Sequence, residues 1–77
     1  MVEIYSAPNC VHCETVKNLC KARDIEYIEK DIAEVLPKEW IDRIGFVPRS
    51  VPQVFVSGEY VGGATEFKNL LGNGESL

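Results

Sequence analysis

Cys10 and Cys13 stand at a seam between two periodicities. On the N-terminal side, Val2-Glu3-Ile4-Tyr5-Ser6 alternates and is rich in β-formers, the pattern of a strand. Ala7-Pro8-Asn9 ends it, and Cys13, Val16, Leu19 and Cys20 then recur at spacings of three and four, one apolar stripe of a helix over Cys10 to Arg23. The seam therefore predicts a strand running into a helix N-terminus, with Asn9 or Cys10 as the cap and Asp24 just past the far end. Thiols three apart on a helix have Cβ atoms about 5 to 6 Å apart, close to the roughly 3.5 to 4.5 Å of a disulfide, so a slight adjustment at the helix start lets the pair open and close.

The remaining elements follow from the same kind of reading. Glu26 to Asp31 reads as a second strand, and strand-helix-strand predicts a parallel, right-handed crossover. Leu36, Trp40, Ile41 and Ile44 mark a short second helix with Pro37 at its first position and Gly45 just past its end. Val47 to Val51, containing Pro48, is an irregular approach to the strand Gln53-Val54-Phe55-Val56. Ser57-Gly58 signals a tight hairpin into Glu59-Tyr60-Val61, closed by Gly62-Gly63. Thr65 is the expected N-cap of a last helix with Phe67, Leu70 and Leu71 on its apolar face and Gly72 as its stop; the tail Asn73 to Leu77 is expected to fray. The order is β-α-β-α-β-β-α: an α/β chain with one mixed sheet flanked by helices.

Length and charge narrow the function. A chain of 77 residues holds one domain, residues 1–77, and any substrate site on it is a shallow surface groove. Twelve acids against eight bases, net charge -4, disfavour nucleic acid as a partner. No apolar run approaches the roughly 18 residues that span a bilayer, and Met1 leads straight into strand-like sequence without a leader pattern, so a cytoplasmic protein with no membrane partner is expected. Three cysteines do not make the even framework of a small secreted protein. In a reducing compartment Cys10-Val11-His12-Cys13 reads as redox-active or as half a metal site. Zinc needs two more ligands, and only His12 and Cys20 remain. Cys20 lies seven residues past Cys13, about 10 Å along a helix, so no metal is expected and Cys20 is read as a small buried hydrophobe.

The two thiols are not equivalent. Cys10 falls where unpaired N–H groups and the positive end of the helix dipole favour an anion, whereas Cys13 points into the apolar stripe. Cys10 is thus the attacking thiol and Cys13 the resolving one. Lowering a thiol pKa from about 8.5 to about 6 raises the thiolate fraction at pH 7 about 30-fold. The accompanying loss of intrinsic nucleophilicity is about 13-fold, so attack gains only about twofold. The larger benefit is a better leaving group when the mixed disulfide is resolved. Val11 and His12, between the thiols, are the residues expected to tune the redox balance. As imidazolium, His12 favours the Cys10 thiolate and makes the site more oxidising near pH 6; otherwise it is a solvated side chain.

Three elements in this order, the cysteine motif after the first strand, Ser50-Val51-Pro52-Gln53-Val54-Phe55-Val56, and Gly62-Gly63-Ala64-Thr65-Glu66-Phe67, make the chain resemble the glutaredoxin family. The resemblance implies a thioredoxin fold with Pro52 cis beside the thiol pair, and glutathione as a co-substrate with no tightly bound cofactor. It implies that the Val51 backbone receives a cysteinyl peptide like an added strand. It also implies that the Gly62-Gly63 turn admits the ligand backbone, that the Thr65 and Glu66 N–H groups bind the γ-glutamyl carboxylate, and that Glu66 meets the ammonium. His12, Val51, Pro52, Gly63, Thr65 and Glu66 are then the glutathione site, and plain helix capping is the alternative reading of Thr65 and Glu66. The expected partners are glutathione and disulfide-containing proteins, with ribonucleotide reductase among them by analogy, and the chain is expected to act as a monomer.

The chain also departs from the family pattern. Val11-His12 replaces the usual Pro-Tyr, freeing a backbone donor and removing an aromatic wall. Ala7 stands where most members carry a basic residue for the glycyl carboxylate, and Arg49 is the candidate substitute. Val after the first cysteine is shared with glutaredoxin-like redoxins that serve ribonucleotide reductase and draw on thioredoxin reductase. That group departs from the glutathione motif retained here. A further alternative is a glutaredoxin that holds a [2Fe-2S] cluster across a dimer.

Overall fold

The structure, a computed structural model, describes residues 1–72. The chain runs β1 (Val2–Ser6), α1 (Val11–Ala22), β2 (Tyr27–Asp31), a single 3-10 turn (Ile32–Glu34), α2 (Pro37–Ile44), β3 (Gln53–Val56), β4 (Glu59–Gly62) and α3 (Ala64–Gly72). The strands form one mixed sheet in the order β2-β1-β3-β4. β1 lies parallel to β2, with Val2 opposite Tyr27, and antiparallel to β3, with Val2 opposite Val56. β4 returns antiparallel to β3 through Ser57 and Gly58, both at positive φ, the turn geometry whose twist suits a two-residue hairpin.

Strand alternation divides the core between two faces. Val2 and Ile4 of β1 and Val54 of β3 join Val16 and Cys20 of α1 and Phe67 and Leu71 of α3 in one cluster. Their neighbours Tyr5 and Phe55 face the other way and pack on Trp40 of α2. The Tyr5 and Trp40 rings meet edge-on with centroids 5.0 Å apart. Arg43, one turn beyond Trp40, lies 3.8 Å over the Phe55 ring and donates to the Tyr5 hydroxyl at 2.8 Å and to Glu3 at 3.3 Å. A cation over an aromatic face with two polar partners fastens the short α2 to the sheet. Across the sheet's parallel edge, Lys17 of α1 reaches Glu29 of β2 at 3.0 Å, and the buried Ser6 hydroxyl donates to the same carboxylate at 2.7 Å.

The elements agree with the expected order and the parallel crossover, with local differences. α1 starts at Val11, one residue later than expected, and of the two expected caps Cys10 is the one found. In α2, Trp40 is buried and Ile44 half-buried, whereas Ile41 is 52% exposed and Leu36 is the N-cap outside the helix. Thr65 is not the N-cap of α3. The helix begins at Ala64, and the Gly63 carbonyl accepts the first intrahelical bond, from Phe67 N–H at 3.0 Å. Gly72 is the last described residue of α3, and the expectation for Asn73 to Leu77 lies outside the described residues. None of the described helices is long and apolar enough to cross a membrane.

Candidate active site

The chain leaves β1 through Pro8 and Asn9, and Asn9 takes a left-handed conformation, φ 59°, which asparagine tolerates better than most residues. That turn delivers Cys10 in extended geometry to the head of α1, where its carbonyl accepts from Glu14 N–H at 3.2 Å. The Cys10 sulfur in turn accepts from the Cys13 backbone N–H at 3.2 Å. The sulfur therefore occupies the place of an N-cap oxygen, among N–H groups that have no intrahelical partner, the setting that stabilises a thiolate.

Cys13 is 1% exposed, whereas Cys10 is half-buried, so only one sulfur of the pair faces an incoming disulfide. Burial pushes the Cys13 thiol up to about 11, and the hydrogen bond and charge of Cys10 push the same way against the Ala7 backbone and Lys17. At neutral pH Cys13 thus holds its proton. Once Cys10 is capped in a mixed disulfide it no longer opposes ionisation of Cys13. Cys20 lies fully buried in the α1/α3 core, its thiol also pushed up by burial, two turns along the same stripe of α1 from Cys13.

Against the thiol pair lies the turn before β3. The Val51–Pro52 peptide is cis, and the Cys10 thiol donates weakly to the Val51 carbonyl oxygen at 3.9 Å. On the far side of Pro52, a Cβ placed on Gly63 would stand 3.5 Å from the Pro52 carbonyl oxygen. Cys10, Val51, Pro52, Gly63 and the start of α3 therefore lie near one another in that order. The N–H groups of Ala64, Thr65 and Glu66 open that helix without intrahelical acceptors. Thr65 and Glu66 are exposed.

A family model described as Glutaredoxin matches residues 2–61. The chain belongs to the glutaredoxin family. The glutaredoxin of Haemophilus influenzae is 34% identical over 91% of this chain and 88% of its own length. The mitochondrial glutaredoxin-2 of Bos taurus is 32% identical over 99% of this chain, which spans only 50% of that longer protein. Among solved structures, a buckwheat glutaredoxin-glutathione complex superposes with a TM-score of 0.80 at 22% identity, covering 96% of this chain and 70% of the other. Reduced Escherichia coli glutaredoxin gives 0.78 at 24% identity over 94% and 93%, a likeness of fold. With the Cys10/Cys13 pair in place, this glutaredoxin is a thiol-disulfide oxidoreductase.

The Gly62-Gly63 turn serves a purpose besides the one its motif implied. Gly62 has φ 125°, and a Cβ there would lie 2.8 Å from Glu66 Oε1. The room is taken by Glu66 itself, whose carboxylate folds back to accept Gly63 N–H at 2.6 Å. Glu66 is therefore at once a helix cap and the acidic group at the head of α3. His12 and Val11 are exposed on the first turn of α1, and Arg49 is exposed on the approach to Val51. Gln53 is a site residue to which no motif of the sequence assigns a role. Its side chain is buried, donates to the Ser50 carbonyl at 2.9 Å and accepts from the Tyr60 hydroxyl. That pins the loop leading to Val51 onto β3 and β4. An amide immediately after Pro52, at the head of an otherwise apolar strand, was the available signal.

Proposed function

We propose that this glutaredoxin is a cytoplasmic, monomeric enzyme that uses glutathione to reduce protein disulfides and glutathione mixed disulfides. The observation that carries the reading is the close approach of Gly63 to the Pro52 carbonyl, within reach of an added Cβ, which supports a donor-rich head of α3 near the Val51 edge and the Cys10 sulfur. A tripeptide disulfide-linked to Cys10 can then lie along Val51 with its γ-glutamyl carboxylate on the Thr65 and Glu66 N–H groups. Arg49 takes the glycyl carboxylate at the other end. The buckwheat neighbour, solved as a glutathione complex, is consistent with such a ligand on this fold.

The chemistry balances as two exchanges. Cys10 thiolate attacks one sulfur of RS–SR′, forming Cys10–S–S–R and releasing R′S⁻, which takes up a proton. Cys13 gives up its proton and attacks the Cys10 sulfur, forming the Cys10–Cys13 disulfide, and RS⁻ leaves and takes up a proton as RSH. Two glutathiones then restore both thiols and leave as glutathione disulfide. The net change is RSSR′ plus two glutathiones to RSH, R′SH and glutathione disulfide. A glutathione mixed disulfide needs Cys10 alone.

One observation favours a second reading. The Glu66 carboxylate already sits on the Gly63 N–H, close to where a γ-glutamyl carboxylate would dock, so the head of α3 can be a self-satisfied cap in a redoxin recharged by thioredoxin reductase. The test follows NADPH consumption during reduction of a small mixed disulfide in two parallel couplings. Turnover with glutathione and glutathione reductase supports the first reading; turnover only with thioredoxin reductase transfers the protein to the second.

A further inference from the structure

Glu29 of β2 gathers two groups that flank the buried thiol of the active site. It stands opposite Ile4 in the β1/β2 register, on the sheet face where Ile4 packs against Val16 of α1, so its side chain meets α1 at the edge of the sheet. One carboxylate oxygen, Oε2, accepts from both the Lys17 ammonium at 3.0 Å and the buried Ser6 hydroxyl at 2.7 Å. Lys17 lies one helical turn beyond Cys13 on α1. Ser6 ends β1 and immediately precedes Ala7, whose backbone hydrogen-bonds the Cys13 sulfur.

The charges in this cluster are fixed across the neutral range. Hydrogen bonds to Glu14 and Glu29 hold the Lys17 ammonium well above lysine's ordinary value, and those from Ser6 and Lys17 hold Glu29 below the ordinary carboxylate value. The Lys17 side chain is only 14% exposed, against 61% for Glu14 and 41% for Glu29, so water screens the two carboxylates more than the ammonium. Asp31, on the same recess, is exposed as well, and Lys21 adds a second cation acting on Glu29. The charge felt at the buried Cys13 sulfur is therefore that of a cation.

We propose that Glu29 is a positioning residue for the second exchange, holding the Lys17 ammonium and the Ser6–Ala7 peptide against Cys13 so that the resolving thiolate forms beside a fixed cation and a backbone donor. The inference rests on the reading of Cys13 as the resolving thiol. Burial opposes ionisation of that sulfur, yet only its thiolate can attack Cys10. A nearby opposite charge and a hydrogen bond to the charged form are the two effects that offset desolvation without opening the site to water. Lys17 supplies the first and Ala7 the second, both working against the burial of Cys13. The first exchange, at Cys10, does not draw on them. Glu29 and Lys17 thus act on reduction of protein disulfides and leave removal of glutathione from a mixed disulfide alone.

The test mixes the reduced full-length protein with dithiobisnitrobenzoate in a stopped-flow cell and follows the coloured thiol from about pH 6 to about pH 8. Attack by Cys10 releases one coloured thiol at a rate proportional to the reagent, and resolution by Cys13 releases a second at a rate independent of it. Lys17→Met should slow the second phase about threefold, a loss of about tenfold in thiolate partly offset by its higher nucleophilicity. Lys17→Arg should restore the rate, and the first phase should not change in either variant. Glu29→Ala, which releases both groups, should also slow the second phase, although removal of an acid acting by charge alone would speed it. If Glu29→Ala does not fold, the two Lys17 variants decide alone. Absence of a reagent-independent phase in the unaltered protein overturns the resolving role of Cys13, and the proposal with it. With that phase present, an unchanged second phase in Lys17→Met, equal slowing in Lys17→Arg, faster resolution in Glu29→Ala, or slowing of both phases together overturns the proposal alone.

Discussion

The Glu66 carboxylate reaches back three residues to hold the Gly63 N–H at 2.6 Å, in space that exists only because Gly62 has no Cβ. This one contact joins the hairpin, the head of α3 and the Pro52 side of the active site. Glu66→Ala should cost about 1 kcal/mol as a lost cap, lowering Tm by about 4 to 8 °C in a chain this size. Glu66→Gln keeps an acceptor for Gly63 and should hold Tm. If the charge also meets the ammonium of glutathione, Glu66→Gln should raise KM for glutathione with kcat little changed. Gly62→Ala meets both the Glu66 side chain and a φ of 125°, and should destabilise more than Glu66→Ala does. Thermal melts and glutathione titrations check all three.

The unequal burial of the two thiols separates their roles in kinetics. Cys10→Ser should abolish turnover of every disulfide. Cys13→Ser should spare removal of glutathione from a mixed disulfide while abolishing reduction of an intramolecular protein disulfide, which needs a resolving thiol. Activity in Cys10→Ser would refute the mechanism.

Burial of Cys13 also makes stability fall at alkaline pH. Its folded value of about 11 lies above the ordinary 9.0, so the unfolded chain loses the proton first. The stabilisation is complete below about pH 9 and is lost as pH rises towards 11, with a slope of at most about 1.4 kcal/mol per pH unit from this thiol. Cys20 is shifted upwards as well and steepens the loss. Denaturant midpoints between pH 8 and 11 should fall, and fall less in Cys13→Ala. A flat profile would mean that the Cys13 thiol is not buried in solution.

Gln53 is a positioning residue for the Val51 edge. Gln53→Leu keeps the volume but removes a partner from both the Ser50 carbonyl and the Tyr60 hydroxyl, a cost of about 1 to 3 kcal/mol. If the clamp aligns Val51, KM for peptide disulfides should rise several-fold, whereas Tyr60→Phe, which removes only the Tyr60 partner, should move it less. An unchanged KM in folded Gln53→Leu would reduce the amide to a structural role.

Much of this molecule was legible without coordinates, because local rules govern it. The alternation of Val2 to Ser6, the spacing of Cys13, Val16 and Cys20, Pro37 and Gly45 around α2, and the Ser57-Gly58 turn each act within a few residues, and each appears where expected. The asymmetry of Cys10 and Cys13 was legible for the same reason, since a helix start and an apolar stripe are both local.

Tertiary structure decided what depends on segments far apart in the chain. It brought Val51 to Cys10 across 41 residues, laid Gly63 against Pro52, and joined Gln53 to Tyr60 across the hairpin. It moved the cap of α3 from Thr65 to Gly63, because Glu66 folds back into the space beside Gly62 and no periodicity encodes that space. It also brought Glu29 of β2 to Lys17 of α1 and Ser6 of β1. Hydrophobic period and turn chemistry are properties of neighbours in sequence, whereas a shared surface exists only after packing has fixed which faces meet.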